Sequence, residues 1–334
     1  MIYKAMTTAG FRLTRHDGDF GIEIETETKQ EYMYPKSRFW KVDRDGSLRN
    51  FGVEYILKSP LSLEQCKDAL EEFKDMTSAL KFLVSPYTSV HVHCNMMNET
   101  FKGMANFITT YILFENALLR YSGPERESNL FCLSFRDAEG CLDNAHTVLA
   151  AINSKTLKRT SISEDAAKYS ALNFATFSRI GSLEIRTFRG THDISEIQKW
   201  LQIIQKIREF SRIPDMDPVR IVDLAYRDPI EFYNVVFGDL ASELNYPDKG
   251  ELLSNNLWYA SKIAKISKDW NTFGVPKAKP ETAEVAKGRI DNVSLEMFGV
   301  PFDRLDAAFK QILVLEQVQI MYGDQPILND GGDR

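Results

Sequence analysis

The chain has no C-x-x-C pair. Its four cysteines, Cys66, Cys94, Cys132 and Cys141, are scattered, which excludes a zinc knuckle or a dithiol redox motif and reads as reduced thiols. It also lacks any apolar run approaching the roughly 20 residues of a membrane span, so no membrane partner is expected. Residues 1–11 carry one lysine and no long apolar stretch, which gives no export signal and makes the cytoplasm the expected compartment. Nor is there an excess of positive charge: 41 Lys and Arg stand against 47 Asp and Glu, a formal net charge of -6. Nucleic acid and anionic membrane are thereby disfavoured, a local basic patch staying open, and small-molecule or peptide co-substrates are the easier partners. No internal repeat is present. What remains is ordinary folded-protein composition, 43% hydrophobic and 26% charged over 334 residues, enough for one large or two ordinary domains.

The most informative stretch is Gly21-Ile22-Glu23-Ile24-Glu25-Thr26. Read as a strand, it turns Glu23 and Glu25 to one face and Ile22 and Ile24 to the other, with the two carboxylates roughly 7 Å apart. Taken alone, this is what a strand with one wet face looks like. The same period recurs downstream. Residues 39–42 and 51–57 read as two strands around the turn Asp43-Arg44-Asp45-Gly46-Ser47, the second carrying Glu54,. Residues 89–95 read as a strand with His91 and His93 on one face, and 183–188 as a strand with Glu184 and Arg186 on one face. A further strand is expected over 169–177.

Helices are expected between these strands. Ser62-Leu63-Glu64-Gln65 has capping-box spacing for a helix to about residue 80,. The apolar stretch 101–121 predicts a buried helix, interrupted by Asn106, Glu115 and Asn116, and further helices are expected over 141–152 and 194–210,. Residues 1–19 are short and mixed, and 153–164 is a polar run. Beyond 213 the pattern is helical, with Pro218, Pro229 and Pro247 as breakers. An exposed loop near 276–287 and a flexible tail from about 323 are expected.

Four strands presenting ionisable groups on one face would be costly to bury without cations or mutual pairing. Carboxylates with one or two imidazoles suit magnesium or manganese, whereas imidazole pairs alone suit zinc. Arg186, on the face of Glu184, can grip phosphate with two hydrogen bonds. Each group also has a simpler reading: Glu54 paired with Arg44 or Arg49, one histidine as an orienting group, Glu184 and Arg186 as a structural ion pair, and Arg126 on a surface loop. His16 reads as a turn residue, and His146 and His192 as surface or cap residues.

In order and spacing, this set resembles the amidoligase family, a branch of the carboxylate-amine ligases with the glutamine synthetase and glutamate-cysteine ligase fold. The resemblance spans about residues 20–200. It rests on Gly21 to Glu25, Asp45-Gly46-Ser47, Gly52-Val53-Glu54 with Ser59-Pro60-Leu61, His91-Val92-His93, Arg126 with Asn129, Lys168-Tyr169 with Leu172-Asn173, Leu183-Glu184-Ile185-Arg186, and Gly190-Thr191.

It implies an α+β fold: a curved antiparallel sheet holding ATP and divalent metal on its concave face, helices on the other side, and a C-terminal helical extension. It further implies that a carboxylate attacks the γ-phosphate of ATP and an amine then displaces phosphate from the acyl phosphate. On this resemblance Glu23, Glu25, Glu54, His91 or His93, and Glu184 hold magnesium or manganese. Glu23, Arg126 and Arg186 serve catalysis, and Lys168, Asn173 and Arg179 join Arg186 in holding the nucleotide, with Arg189 as a weaker candidate. Expected domains are a ligase domain over 1–213 and a helical extension over 214–334. The competing expectation is a metal-dependent hydrolase that uses His91, His93 and the glutamates without ATP.

Overall fold

The computed structural model describes residues 1–83, 85–127, 129–135, 137–138, 140–153, 156, 169–244, 256–273, 291–292, 294–307 and 310. Lys168, Pro247, most of the polar run 153–164, the loop near 276–287 and the tail from 323 lie outside the described residues. The chain divides into two compact units, Met1–Val275 and Pro276–Arg334. In the second, Asp291 accepts a hydrogen bond from the Phe302 amide and the Ser294 hydroxyl donates to the Val300 carbonyl. All elements named below belong to the first.

Six strands form one open antiparallel sheet: β1 (Phe20–Thr26), β2 (Trp40–Asp43), β3 (Val53–Leu57), β4 (Ser89–Asn95), β5 (Leu172–Asn173) and β6 (Ser182–Arg189), in the order β2-β3-β1-β4-β6-β5. Every pairing along it is antiparallel. The fold is thus mixed α+β.

Alternation divides the residues of this sheet between two faces. Ile22, Ile24, Tyr55, Val90, Val92, Leu183 and Ile185 are buried in the apolar core, where the helices pack. Those are α2 (Leu63–Thr77), α3 (Phe101–Ser122) and α6 (Ile194–Ser211). The Ser62 and Gln65 capping box opens α2, the Thr100 hydroxyl caps α3, and Asp193 caps α6, each satisfying amides that the first helical turn leaves unpaired. The all-round burial of α3 follows from its position against β6, α6 and two later helices, α7 (Pro218–Arg227) and α9 (Leu257–Ala264). Among the described residues no helix is long and apolar enough to cross a membrane.

Three local expectations change. Residues 1–19 contain a helix, α1 (Ile2–Thr8), whose Ile2 and Met6 are fully buried one turn apart and whose Ile2 and Tyr3 amides donate to the Glu99 and Met97 carbonyls. The strand expected over 169–177 is strand only at Leu172–Asn173, because the Asn173 side chain accepts the Ala175 amide and turns the chain into the short helix α5 (Ala175–Ile180),. Pro218 and Pro229 open helices rather than break them. Each sits in the first turn of α7 or α8 (Pro229–Phe237) behind an Asp cap, Asp217 or Asp228, where a missing N–H costs nothing. A further helix is α4 (Cys141–Asn153).

A buried ion network fastens α6 to the sheet. Arg208, 1% exposed, reaches Asp19 and Glu99 at 2.9 Å each and donates to the Asn95 carbonyl at 2.7 Å. Arg212 joins the same two carboxylates at 3.2 and 2.7 Å. One end of α6 is thereby tied to the start of β1 and the end of β4, the two strands that carry most of the candidate ligands.

Candidate functional site

The other face of the sheet gathers the ionisable groups in register. Glu23 lies opposite His91, Gly21 opposite His93, Glu25 opposite Glu54, and His93 opposite Glu184. The side chains then touch across strands. His91 Nδ1 is 3.2 Å from Glu23 and 3.3 Å from Glu184, while His93 Nε2 is 3.0 Å from Glu23. The Ser89 hydroxyl donates to Glu25 at 2.6 Å and lies 2.7 Å from His91 Nε2.

Three sets of ligand atoms result, each within 4.8 Å of one another: Glu23, His93 and Glu184; Glu23, Glu54 and His91; Glu25, Asp45 and Glu54. Glu23 links the first to the second, and Glu54 links the second to the third. The sets therefore form one row across β6, β4, β1 and β3. Asp45 comes from the turn between β2 and β3; its place in the family motif marked it, but strand alternation gave it no role. Glu27 follows the same alternation as Glu23 and Glu25, yet it is spent on the backbone, accepting the Arg49 amide and the Asn50 side chain.

The donor set fits a divalent cation on two observations. His93 Nε2 is buried with no hydrogen-bond partner and stands 3.0 Å from Glu23. In addition, Glu25, Glu54 and Asp45 converge with no lysine or arginine paired to Glu54 among the described residues, because Arg44 pairs with Glu31 and Arg49 lies over the Tyr87 ring. Gly21 matters beside them, since a Cβ there would stand 3.2 Å from His93 Cβ and crowd the space in front of the imidazole.

Proton affinities along the row diverge. Burial opposes ionisation of Glu23 and Glu184, yet His93 and His91 hold Glu23 well below the usual carboxylate range, and Arg186 with the two histidines holds Glu184 down. His93 is raised because Glu23 and Glu184 outweigh its burial. Glu54 goes the other way, from 4.5 to about 9, through burial and then the charges of Glu23, Glu25 and Asp45.

A glutamate whose folded value is raised keeps a proton that the unfolded chain gives up. The metal-free protein should therefore lose stability as pH rises from 4.5 towards about 9,. Glu54→Gln should remove part of that slope. With the effect discounted for partial exposure, thermal melts in chelator at pH 8 should show the variant more stable by on the order of 1–2 kcal/mol. Excess manganese should reverse the order. A variant that melts like the parent in both conditions would remove Glu54 from the cation set.

The arginines divide by surroundings. Arg186 bonds Glu184 at 2.5 Å and donates to the Phe131 carbonyl. Arg126 is not on the surface: it is 2% exposed and donates to the Arg186 and Thr187 carbonyls at 2.6 and 3.1 Å, which fixes it to β6. Arg126 and Arg186 line a small recess with Glu25, Ser47 and Ser89.

Asn173 uses both ends of its amide within the protein, donating to Glu184 at 2.7 Å and accepting from Ala175; here it orients a carboxylate. Arg179 lies at a separate cavity beside Glu23 and His93. Arg189 is drawn away to Glu196 and to carbonyls at the end of α3. His146 is exposed, His192 packs on Phe82, and the His16 carbonyl accepts the Asn95 and Asn98 side chains.

Sequence comparison bears on the same region. A family model described as "Putative amidoligase enzyme" matches residues 18–208, more than half of the chain. The match contains every carboxylate and histidine of the row. A search of curated proteins gives no match.

Proposed function

This chain belongs to the amidoligase family, and from that premise we propose that it is an ATP- and magnesium-dependent ligase joining a carboxylate to an amine through an acyl phosphate, on a sheet of the glutamine synthetase type. The observation that carries the reading is the continuous row of three overlapping ligand sets, with Arg126 and Arg186 at its edge.

The chemistry asks for such a row. A free carboxylate is a poor acyl donor, and transfer of the γ-phosphoryl group turns its oxygen into a leaving group. Transfer brings two anions together, and charge accumulates on the phosphoryl oxygens. Divalent ions held by Glu23, Glu25, Glu54, Asp45, Glu184 and the two histidines would supply neutralisation and orientation of those oxygens. Arg126 and Arg186 contribute fixed positive charge that needs no reorganisation, because Arg126 is anchored by backbone carbonyls and Arg186 by Glu184,. Asn173, Ser89 and Ser182 hold Glu184, Glu25 and His93 in place, the kind of outer support that keeps ligands aimed. Hydrolysis without ATP is not favoured. Family membership speaks for a ligase, and each imidazole is surrounded by carboxylates rather than paired with the other.

The test is a screen of carboxylates and amines with ATP and magnesium. ADP and phosphate should appear together, dependent on the carboxylate, and hydroxylamine in place of the amine should give a hydroxamate. Turnover of an amide or ester in the absence of ATP, with no ADP formed under any pairing, would replace the ligase by the hydrolase.

A further inference from the structure

We propose that Glu115 is a positioning residue for the arginine edge of the ligand row: from inside the core it roots the loop that holds Arg186 in place. The proposal rests on the ligase reading and adds to it a residue that lies outside the site. Its basis is the 2.9 Å hydrogen bond that the Phe135 amide donates to the Glu115 carboxyl, which is 1% exposed on α3.

The contacts around this bond form a closed circuit. α3 is followed by a short turn, Pro124–Arg126, and residues 129–135 then return to α3 at Glu115. On the way the Cys132 thiol donates to the Arg126 carbonyl at 3.4 Å, the Phe131 carbonyl accepts from Arg186 Nε at 3.3 Å, and Leu133 exchanges backbone hydrogen bonds with Tyr169 and Ala171. Arg126 in turn holds the Arg186 and Thr187 carbonyls. The tip of the loop is open, Leu130 being 74% exposed, and Phe131 lines the recess together with both arginines. Glu184 fixes one end of the Arg186 guanidinium and Phe131 the other. Where the root of the loop sits therefore decides where the guanidinium points.

Nothing in α3 itself asks for a carboxyl here. Tyr111, Ile112, Phe114, Leu118 and Leu119 around it are buried, and an apolar side chain would fill the place without the cost of drying a polar group. What needs an acceptor is the buried Phe135 amide, which would be costly to leave unpaired. Burial pushes Glu115 from 4.5 up to about 8; the Phe135 amide works against this and the charge of Asp137 with it. Tyr111 on α3, Cys132 in the loop and Cys141 on α4 also face this layer, and none of them brings a positive charge. At neutral pH Glu115 is thus mainly an uncharged acid whose carbonyl serves the loop. Glutamine can do the same, and a side chain without that carbonyl cannot.

Two measurements on the intact protein test this. In steady-state coupling with ATP, magnesium and the carboxylate and amine found by screening, Glu115→Met should lower kcat at least about tenfold and leave KM for ATP and for the amine within about twofold, since a misplaced Arg186 acts on phosphoryl transfer. Glu115→Gln should keep the parental kcat. Should Glu115→Met not fold, Glu115→Asp, which draws the same carboxyl back by one methylene, takes its place with the same loss expected. The second measurement is the nuclear magnetic resonance signal of the Arg186 Nε–H, identified by its disappearance in Arg186→Lys; it should shift in Glu115→Met and stay in Glu115→Gln. Parental kcat in Glu115→Met, or a loss in Glu115→Gln as large as in Glu115→Met, overturns the assignment. If no pairing yields ADP even in the parent, the ligase reading falls by itself. The Arg186 signal then still decides: moved by Glu115→Met alone, it keeps Glu115 as the anchor, and unmoved, it removes Glu115 from that role.

Discussion

Glu23→Gln combined with Glu25→Gln is expected to lower ATP-dependent coupling by at least about a thousandfold while the protein stays folded. Between them these residues enter all three ligand sets, Glu23 in two and Glu25 in the third. Glutamine keeps the shape and removes the charge, so the loss falls on neutralisation of the phosphoryl oxygens, an effect worth several kcal/mol where water is excluded; about 4 kcal/mol corresponds to that factor.

Folding should survive because glutamine keeps the shape of each side chain, and the loss of Glu23 removes the charge that chiefly raises the proton affinity of His93 against its burial. Glu27→Gln is the control. It changes the same residue type two positions on, but Glu27 serves the Arg49 amide and Asn50, so coupling should fall by only a few-fold. ADP formation with the carboxylate and amine found by screening is the measurement, with the melting temperature alongside. Undiminished coupling in the double variant would remove the glutamates from the site.

Arg208→Met is expected to destabilise the protein by about 3 kcal/mol, a drop of roughly 5–10 °C in melting temperature. The guanidinium is buried between Asp19 and Glu99 and also holds the Asn95 and Asp19 carbonyls. Removing it leaves Glu99, 7% exposed, with Arg212 alone. Losing one partner of a buried pair costs more than the pair contributes, because the remaining charge has been taken out of water. Adding Glu99→Gln should recover part of the loss in a double-mutant cycle. If Arg208→Met melts within a degree of the parent, Arg212 alone carries the network, and α6 is fastened by its apolar face.

Much of the site was legible in the sequence because strand alternation is a local rule. Two residues apart means the same face, so Glu23 with Glu25, His91 with His93, and Glu184 with Arg186 could be grouped without knowing what they faced. Helices α2, α3 and α6 were legible for a similar reason, since caps and apolar period lie within each segment. The same rule misleads at Glu27, which keeps the period but lies beside the turn at Arg49 and Asn50, whose amides need an acceptor. It also fails at Asn173, where one side-chain hydrogen bond to the Ala175 amide outweighs strand propensity and starts a helix.

By itself, then, the sequence determined which residues could share a face and what chemistry their types allow: hard oxygen ligands, imidazoles and an arginine for phosphate. Only the tertiary structure decided which of them meet. Register between β1, β3, β4 and β6 joins the pairs into one row, because cross-strand neighbours about 5 Å apart come from segments far apart in the chain. Packing carries Asp45 from a turn to Glu25 and Glu54, seats Arg126 against β6, and brings Arg12 and Arg179 to one cavity. No local period links those last two, since Arg12 precedes β1 and Arg179 lies near the end of α5; the folded sheet and the short helix beside it set their separation.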